Sequence, residues 1–401
     1  MNKLKMTTSV LFALAISAFP IFAQIKLVPK KVTLKNGREF NLNLPANYEI
    51  IPAAEGLNRV RFFAVAPDGR IFVTDLYDMT DNGKGAVYIL DAWNSKRGRF
   101  GKVTAFMNNL RNPNSVAFHT DKKGQAWFYL SETDKLTRYK YVANSAEPTG
   151  KPEVLATFPD YGLDYKYGGW HLTRTIAFSP AGKLYVSIGT SCNSCVEKKE
   201  EKDIRGVVLE MNADGSGKRV FVKNLRNAVG LKWIGKSLYA TGEGVDHLGI
   251  DRPDETFYQL KDGANYGWAE CFQADGKITF DPKYLKGKRP PNCSFVPVSY
   301  AYFPAHSSAM GFDFFDAKTS DATLKNSFLV ALHGSTNRDD QRGYKIVTVR
   351  DGNRQEDFIT GFIEGKNVFG RPCDVMRISP DSFLFTDDRG GVVYLVRRIK
   401  K

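Results

Sequence analysis

Histidine, cysteine and tryptophan are scarce, with five of each in 401 residues. No stretch after the first 23 residues approaches the run of about 18 uncharged apolar residues that a membrane-spanning helix needs. Apolar residues at helical spacing over long windows are also missing, which argues against an α/β barrel or a doubly wound α/β fold. The one CxxC, Cys192 to Cys195, is followed by Val196 rather than histidine, so a covalent haem site is not supported. Lys and Arg outnumber Asp and Glu by 57 to 43, yet they are scattered among aromatics and acids, so the net charge of +14 does not imply nucleic-acid binding. What is present is an ordinary globular composition, 42% hydrophobic and 25% charged, able to bury a core.

Residues 1–23, MNKLKMTTSVLFALAISAFPIFA, place two lysines before an apolar stretch from Val10 and offer a cut after Ala23. This reads as a secretory signal, and the expected location is periplasmic or secreted, where disulfides persist. Residues 24–401 are then expected to form one domain. Five cysteines leave at least one without a partner in the chain. Cys271 and Cys293 flank a polar, proline-containing insertion and are expected to close it, and the CxxC pair reads as structural because zinc would need further ligands. Cys373 reads as a buried small apolar residue.

A recurring pair of short apolar runs joined by a tight turn occurs six times, beginning at Phe62, Ser115, Thr175, Val229, Gly311 and Asp374. Most intervals hold two further strand-like runs, such as GAVYILD and KVTAFM after the first pair. Four strands per unit, repeated, predict an all-β fold, a six-bladed β-propeller. After the last hairpin only VVYLVRR remains, so the N-terminal segment YEIIPAA, from Tyr48, is expected to complete the final blade and cover its edge.

If the first strand of each unit is innermost, the residues just before it and just after the second strand meet at one mouth of the ring. Those positions hold Arg61, Asn114, His171, Arg174, Arg226, Asn227, His306, His333, Arg338, Arg371 and Asp388. Arg174, Arg226, Arg338 and Arg371 would together grip a polyanion, since guanidinium forks match carboxylates; the same residues in propellers also satisfy backbone carbonyls. His171 follows Gly168, Gly169 and Trp170, a context that lets another molecule approach, and it suits a proton acceptor or a hydrogen-bonded residue inside the ring. The loop GEGVDHLGIDRPDET from Gly242 gathers Glu243, Asp246, Asp251, Asp254 and Glu255, either as oxygen donors for calcium or as a solvated acidic loop.

The stretches GGWHLTRTIAFSPAGKLYVSIGTSCNSCVE, NLRNAVGL, GVDHLGIDRPDE, NYGWAEC, FPAHSSAMGF, FLVALHGSTNR and FGRPCDV resemble the soluble quinoprotein glucose/sorbosone dehydrogenases, most closely the sorbosone and pyranose dehydrogenase branch. The resemblance implies a propeller that holds pyrroloquinoline quinone (PQQ) and Ca2+ on its axis and oxidises a sugar or related alcohol. It also implies an external electron acceptor such as a cytochrome. By the same resemblance His171 matches the catalytic base, Arg226 and Asn227 face the quinone carbonyls, and Arg371 holds its carboxylates. His333 matches a basic cofactor ligand, and Gly244, Val245 and Asp246 match the calcium region. Val245 and Thr336 depart from the pattern, where related proteins often carry arginine and tryptophan. These departures support one alternative, a non-catalytic glycan- or protein-binding propeller; the other, a calcium-dependent lactonase-type hydrolase, would need acidic or amide ligands from several blades, where Arg and His dominate the axial positions.

Overall fold

The computed structural model describes residues 25–160, 171–335 and 341–399. The expected leader, the Gly168 to Trp170 context, Thr336 and Arg338 lie outside the described residues. Six four-stranded antiparallel sheets follow one another around an axis as blades 1 to 6. Their inner strands are Val60–Val65, Ser115–Thr120, Arg174–Phe178, Ala228–Ile234, Ala309–Phe315 and Pro372–Ser379. The expectation of a six-bladed propeller is borne out, and among the described residues the only helical turns are Pro282–Tyr284 and Asp351–Asn353.

Ring closure also follows the sequence. Tyr48–Glu55 pairs antiparallel with Val392–Arg398 as the outer strand of blade 6, running from Tyr48 opposite Arg398 to Glu55 opposite Val392. Ile51 and Leu395 come to lie against Gly98 of blade 1, so the same pairing packs the last blade onto the first. An additional hairpin, Leu27–Thr33 with Glu39–Pro45, packs Leu42 and Leu44 into the core shared by blades 5 and 6.

A hydroxyl from a hairpin strand stitches most seams. Thr74 Oγ1 donates to Asn114 O at 2.8 Å, Ser131 Oγ to Arg174 O at 2.7 Å, Thr241 Oγ1 to Met310 O at 2.8 Å and Thr386 Oγ1 to Arg61 O at 2.7 Å. Between blades 3 and 4 the donor is Thr175 Oγ1, which reaches Val229 O. Three of these hydroxyls also accept an inner-strand N–H of their own blade, from Phe62, Gly230 and Asp374. Phe62, Val229, Met310 and Cys373 form a small buried cluster contributed by the inner strands of four blades. Cys373 is buried as expected, and burial pushes its thiol up.

Both predicted cysteine pairs are bridged. The Cys271–Cys293 bridge closes the insertion between the third and fourth strands of blade 4, which contains the ribbon Cys271–Ala274 with Lys277–Phe280. In the chain-entropy picture a bridge spanning 22 residues contributes about 3 kcal/mol and one spanning 3 residues about 2 kcal/mol.

Thr241→Val keeps the side-chain shape but strands Gly230 N–H and Met310 O without their partner in a dry seam. The variant is expected to lose about 1–3 kcal/mol, read from the denaturant midpoint. An unchanged midpoint would remove the hydroxyl seam from the account of ring stability.

Candidate active site at the propeller mouth

Strand registers put the predicted residues at the same end of their blades. Arg174 pairs with Ile188, Ala228 with Gly242, Ala309 with Leu332 and Pro372 with Asp387, so each inner-strand start lies beside a second-strand end. His171, Arg226, Asn227, Glu243, His333, Arg371 and Asp388 all flank these junctions.

Hydrogen bonds then link the blades in sequence. Thr190 N–H donates to Arg226 O at 2.9 Å, joining blade 3 to blade 4. Asn227 Nδ2 donates to Glu243 Oε2 at 2.6 Å, and Ser308 Oγ donates to Glu243 Oε1 at 2.6 Å, reaching blade 5. His333 N–H donates to Ser308 O, and its Nε2 meets Asp388 Oδ1 of blade 6 at 2.8 Å. Arg61 of blade 1 donates Nη1 to Asp388 Oδ2 at 2.8 Å and Nε to Asn114 Oδ1 of blade 2 at 3.3 Å. Asn114 Nδ2 returns to Thr175 Oγ1 of blade 3 at 2.9 Å.

On one side of this circuit stand His171 and Asn227. A Cβ on Gly189 would come within 2.5 Å of His171 Cβ and 2.6 Å of Asn227 Oδ1, so glycine is what lets the two approach. His171 has φ of +58°, and Arg174 locks that backbone by donating Nη1 to His171 O at 2.6 Å. Arg174 also donates to two further backbone carbonyls, Thr173 O and Pro159 O. Its guanidinium is 1% exposed, and burial with Arg205 nearby brings it down to about 9. Arg174 thus serves the site through His171.

The tautomer of His171 follows from its partners. Nδ1 lies 2.9 Å from Thr190 O, which can only accept, and 3.1 Å from Thr190 Oγ1. Thr190 Oγ1 already donates its hydrogen to Cys192 O at 3.0 Å. Nδ1 therefore carries the proton and the lone pair resides on Nε2. Burial, with the Arg226 charge close by, holds His171 well below the usual imidazole range, so the ring is neutral at pH 7.

Arg226 donates Nε to Asn193 O at 3.0 Å, Nη2 to Asn193 Oδ1 at 2.8 Å and Nη1 to Glu243 O at 3.4 Å. These take three of its five N–H groups. Opposite, Arg371 donates Nε to His333 O at 3.1 Å and Nη2 to Gly334 O. Burial raises the Asp388 carboxyl, but His333, Arg61 and Arg59 outweigh it and keep it ionised. Burial and Arg371 push His333 down to about 4 against the pull of Asp388.

The acidic loop divides. Asp254 accepts from Asp275 N–H, Gly276 N–H and Gln273 Nε2 and so anchors the insertion, as does His247, whose Nε2 lies 2.7 Å from Asp281 Oδ2. Asp251 is exposed, and Asp246 Oδ1 stands 3.7 Å from His306 Nδ1. Glu255 is buried, its Oε2 has no hydrogen bond, and burial together with Glu243 drives it up to about 8. Among the described residues no donor reaches the carbonyl oxygens of Gly244 or Val245. Two unengaged carbonyls beside two crowded carboxylates are hard oxygen donors in an electronegative corner, which fits calcium. The one thiol and carboxylate grouping of ligand spacing among the described residues, Cys192, Cys195 and Glu197, has its sulfurs joined in a disulfide. A cavity of about 70 Å³ beside Arg226, Val245 and Trp268 is far below the few hundred Å³ of a cofactor pocket.

Thr190 and Ser308 were not among the sequence candidates, whereas Asn193 lies in the Cys192 to Glu197 loop, one of the second-strand exits that the sequence places at the mouth. Thr190 directly follows the second strand of blade 3, and the positional rule that finds Asp388 also reaches it. Ser308 directly precedes the inner strand of blade 5, so the same rule reaches it too.

No family model matches the chain. An uncharacterized protein of Borreliella burgdorferi is 27% identical over 314 residues, spanning 74% of this chain and 78% of that protein. The holo PQQ domain of pyranose dehydrogenase from Coprinopsis cinerea superposes with a TM-score of 0.70 at 17% identity, covering 92% of this chain and 98% of that one. A calcium structure of a Trichoderma reesei carbohydrate-active enzyme of family AA12 gives 0.70 at 16% identity, covering 89% and 96%. A glucose dehydrogenase gives 0.57 at 15% identity, covering 88% and 100%. These likenesses are of fold.

Because His333 titrates near 4 when folded and near 6.5 when unfolded, the unfolded chain takes up its proton first as the pH falls. Its part of the stability is complete above about pH 6.5 and is lost progressively toward pH 4, by up to about 3 kcal/mol. Denaturant unfolding between pH 7 and 4.5 should show this slope, smaller in His333→Gln; equal slopes would contradict the assignment.

Proposed function

We propose that the protein is a PQQ- and calcium-dependent dehydrogenase that oxidises a sugar or related alcohol. Electrons would pass to an external acceptor such as a cytochrome, and the proposed setting is periplasmic or extracellular. The observation that carries this reading is the meeting of a neutral, Nδ1-protonated His171 with Arg226 beside the unengaged carbonyls of Gly244 and Val245. The fold shared with PQQ-domain and glucose dehydrogenases supports it.

When bound, the quinone supplies a two-electron acceptor and calcium a Lewis acid. The chain supplies the rest. His171 Nε2 accepts the hydroxyl proton of the substrate, and its neutrality at pH 7 is the condition for doing so. Arg226, held on three sides, turns its remaining N–H groups toward negative charge developing beside it, and needs no reorganisation to do so. Asn227, fixed by Glu243, offers its carboxamide oxygen on the same side. Arg371 and His333 line the opposite side, where Arg371 is braced by two carbonyls and presents positive charge for carboxylates. Arg338, beyond the described residues on the loop after His333, completes the proposed basic set. Gly244 and Val245 give carbonyl oxygens to the cation, with Asp246 adjoining. Arg174 holds His171 in place.

In a dye-reduction assay with PQQ and calcium across aldoses and sugar alcohols, His171→Ala is expected to lower kcat by about 10²–10⁴. Arg226→Ala should lower it by roughly 10²–10³. Binding of PQQ should survive His171→Ala, since base and cofactor ligands are different groups. Turnover of the His171 variant equal to that of the native protein would remove the base from its role, and failure of every substrate would remove the dehydrogenase reading.

A further inference from the structure

We propose that the Cys192–Cys195 disulfide is a positioning element that secures the tautomer of His171, by withholding the one side-chain donor that competes with the Thr190 carbonyl for Nδ1, and that sets the aim of Arg226. This rests on reading those two residues as the working groups of the site. The disulfide-closed loop touches both. The carbonyl of Cys192 takes the hydrogen of Thr190 Oγ1, which leaves that oxygen as an acceptor facing His171 Nδ1. One residue on, Asn193 accepts from Arg226 twice, through its backbone oxygen and its side-chain oxygen, and the same side-chain oxygen accepts the N–H of Asp246 at 3.3 Å. Three neighbouring residues therefore orient the base, the guanidinium and the loop that offers the Gly244 and Val245 carbonyls.

The loop is itself braced at both ends. Glu197 accepts from Ser191 through N–H at 2.8 Å and Oγ at 2.7 Å. Ser194 O receives Lys283 Nζ at 2.5 Å, and Ser194 Oγ lies 3.3 Å from Tyr284 OH, both on the insertion closed by the other bridge. Between these braces the four residues make no regular structure and are only partly buried, so the path of Cys192 and Asn193 is fixed by the S–S bond together with the hydrogen bonds they accept from Thr190, Arg226 and Asp246. The two bridges thus differ in task. Cys271–Cys293 spans 22 residues and restrains the unfolded chain strongly, whereas Cys192–Cys195 spans 3 and restrains it less while setting local geometry. Opening the shorter bridge consumes two electrons and two protons from a dithiol, which leaves as its own disulfide. The product is two thiols, a loop free to turn Cys192 O away from Thr190, and a Thr190 hydroxyl free to donate to His171 instead.

The deciding experiment is the long-range 1H–15N spectrum of the five histidines in the protein without added quinone or metal, with His171 assigned by His171→Gln. The native protein should show an Nδ1–H ring at His171. Cys192→Ala/Cys195→Ala should show mixed tautomers there, while Cys271→Ala/Cys293→Ala should leave the ring signature unchanged and lower the melting temperature. With quinone and calcium, kcat of the first double variant should fall by roughly 10–100-fold, the size seen when an outer-shell support is lost. If that variant does not fold, native protein treated with dithiothreitol, with the opened bridge identified by mass spectrometry, gives the same reading. An unchanged Nδ1–H signature after loss of the Cys192–Cys195 bond would overturn the proposal. A changed signature with no turnover in any form would instead keep it and remove the dehydrogenase reading.

Discussion

The mouth of this propeller is organised by one buried carboxylate. Asp388 has no exposed side-chain surface, yet it remains charged because Arg61 stands against Oδ2 while His333 and Arg59 stand against Oδ1. Burying a charge without partners costs several kcal/mol, so the two blades that supply those partners are bound with blade 6 to one arrangement. From Asp388 the hydrogen-bonded circuit runs in both directions through Ser308, Glu243 and Asn227 and through Asn114 and Thr175 until it closes at blade 3. The working residues sit on this circuit rather than on independent loops, which is the condition for a preorganised site.

Charge is distributed unevenly around the circuit. Arg226 and Arg371 bring positive charge from blade 4 and from the junction of blades 5 and 6, while under the Gly244 loop Glu243 crowds the buried carboxyl of Glu255. The same low-dielectric setting that keeps His171 neutral drives Glu255 up to about 8. A cation at the Gly244 and Val245 carbonyls would relieve that corner, and an anionic ligand across the axis would answer the guanidinium groups. On the proposed reading the two would be complementary halves of one site.

Much of the fold was legible because strand alternation is local. Six hairpins announced six blades, and the shortage of a fourth strand at the C-terminus pointed to Tyr48–Glu55 as its completion. Candidate site residues were legible by position, since ring symmetry sends every inner-strand start to one mouth. What side chains do after arriving there was not. Arg174 is as long and as charged as Arg226, but the left-handed backbone at His171 presents it with a carbonyl at 2.6 Å. Likewise the acidic loop read as one cluster, and folding split it into buried carboxylates, an anchor for the insertion and an exposed remainder. The importance of Thr190 and Asn193 emerges only once the disulfide loop is folded back over the base.

The central proposal is that the guanidinium groups and the unengaged carbonyls of this mouth would hold a flat tricarboxylate together with a divalent cation. Isothermal titration of the purified protein with PQQ, with calcium and with a chelator, addresses it directly. One equivalent should bind per chain, with binding lost on chelation and weakened in Arg371→Ala. Absence of binding with calcium present, or binding indifferent to both the cation and Arg371, would contradict it.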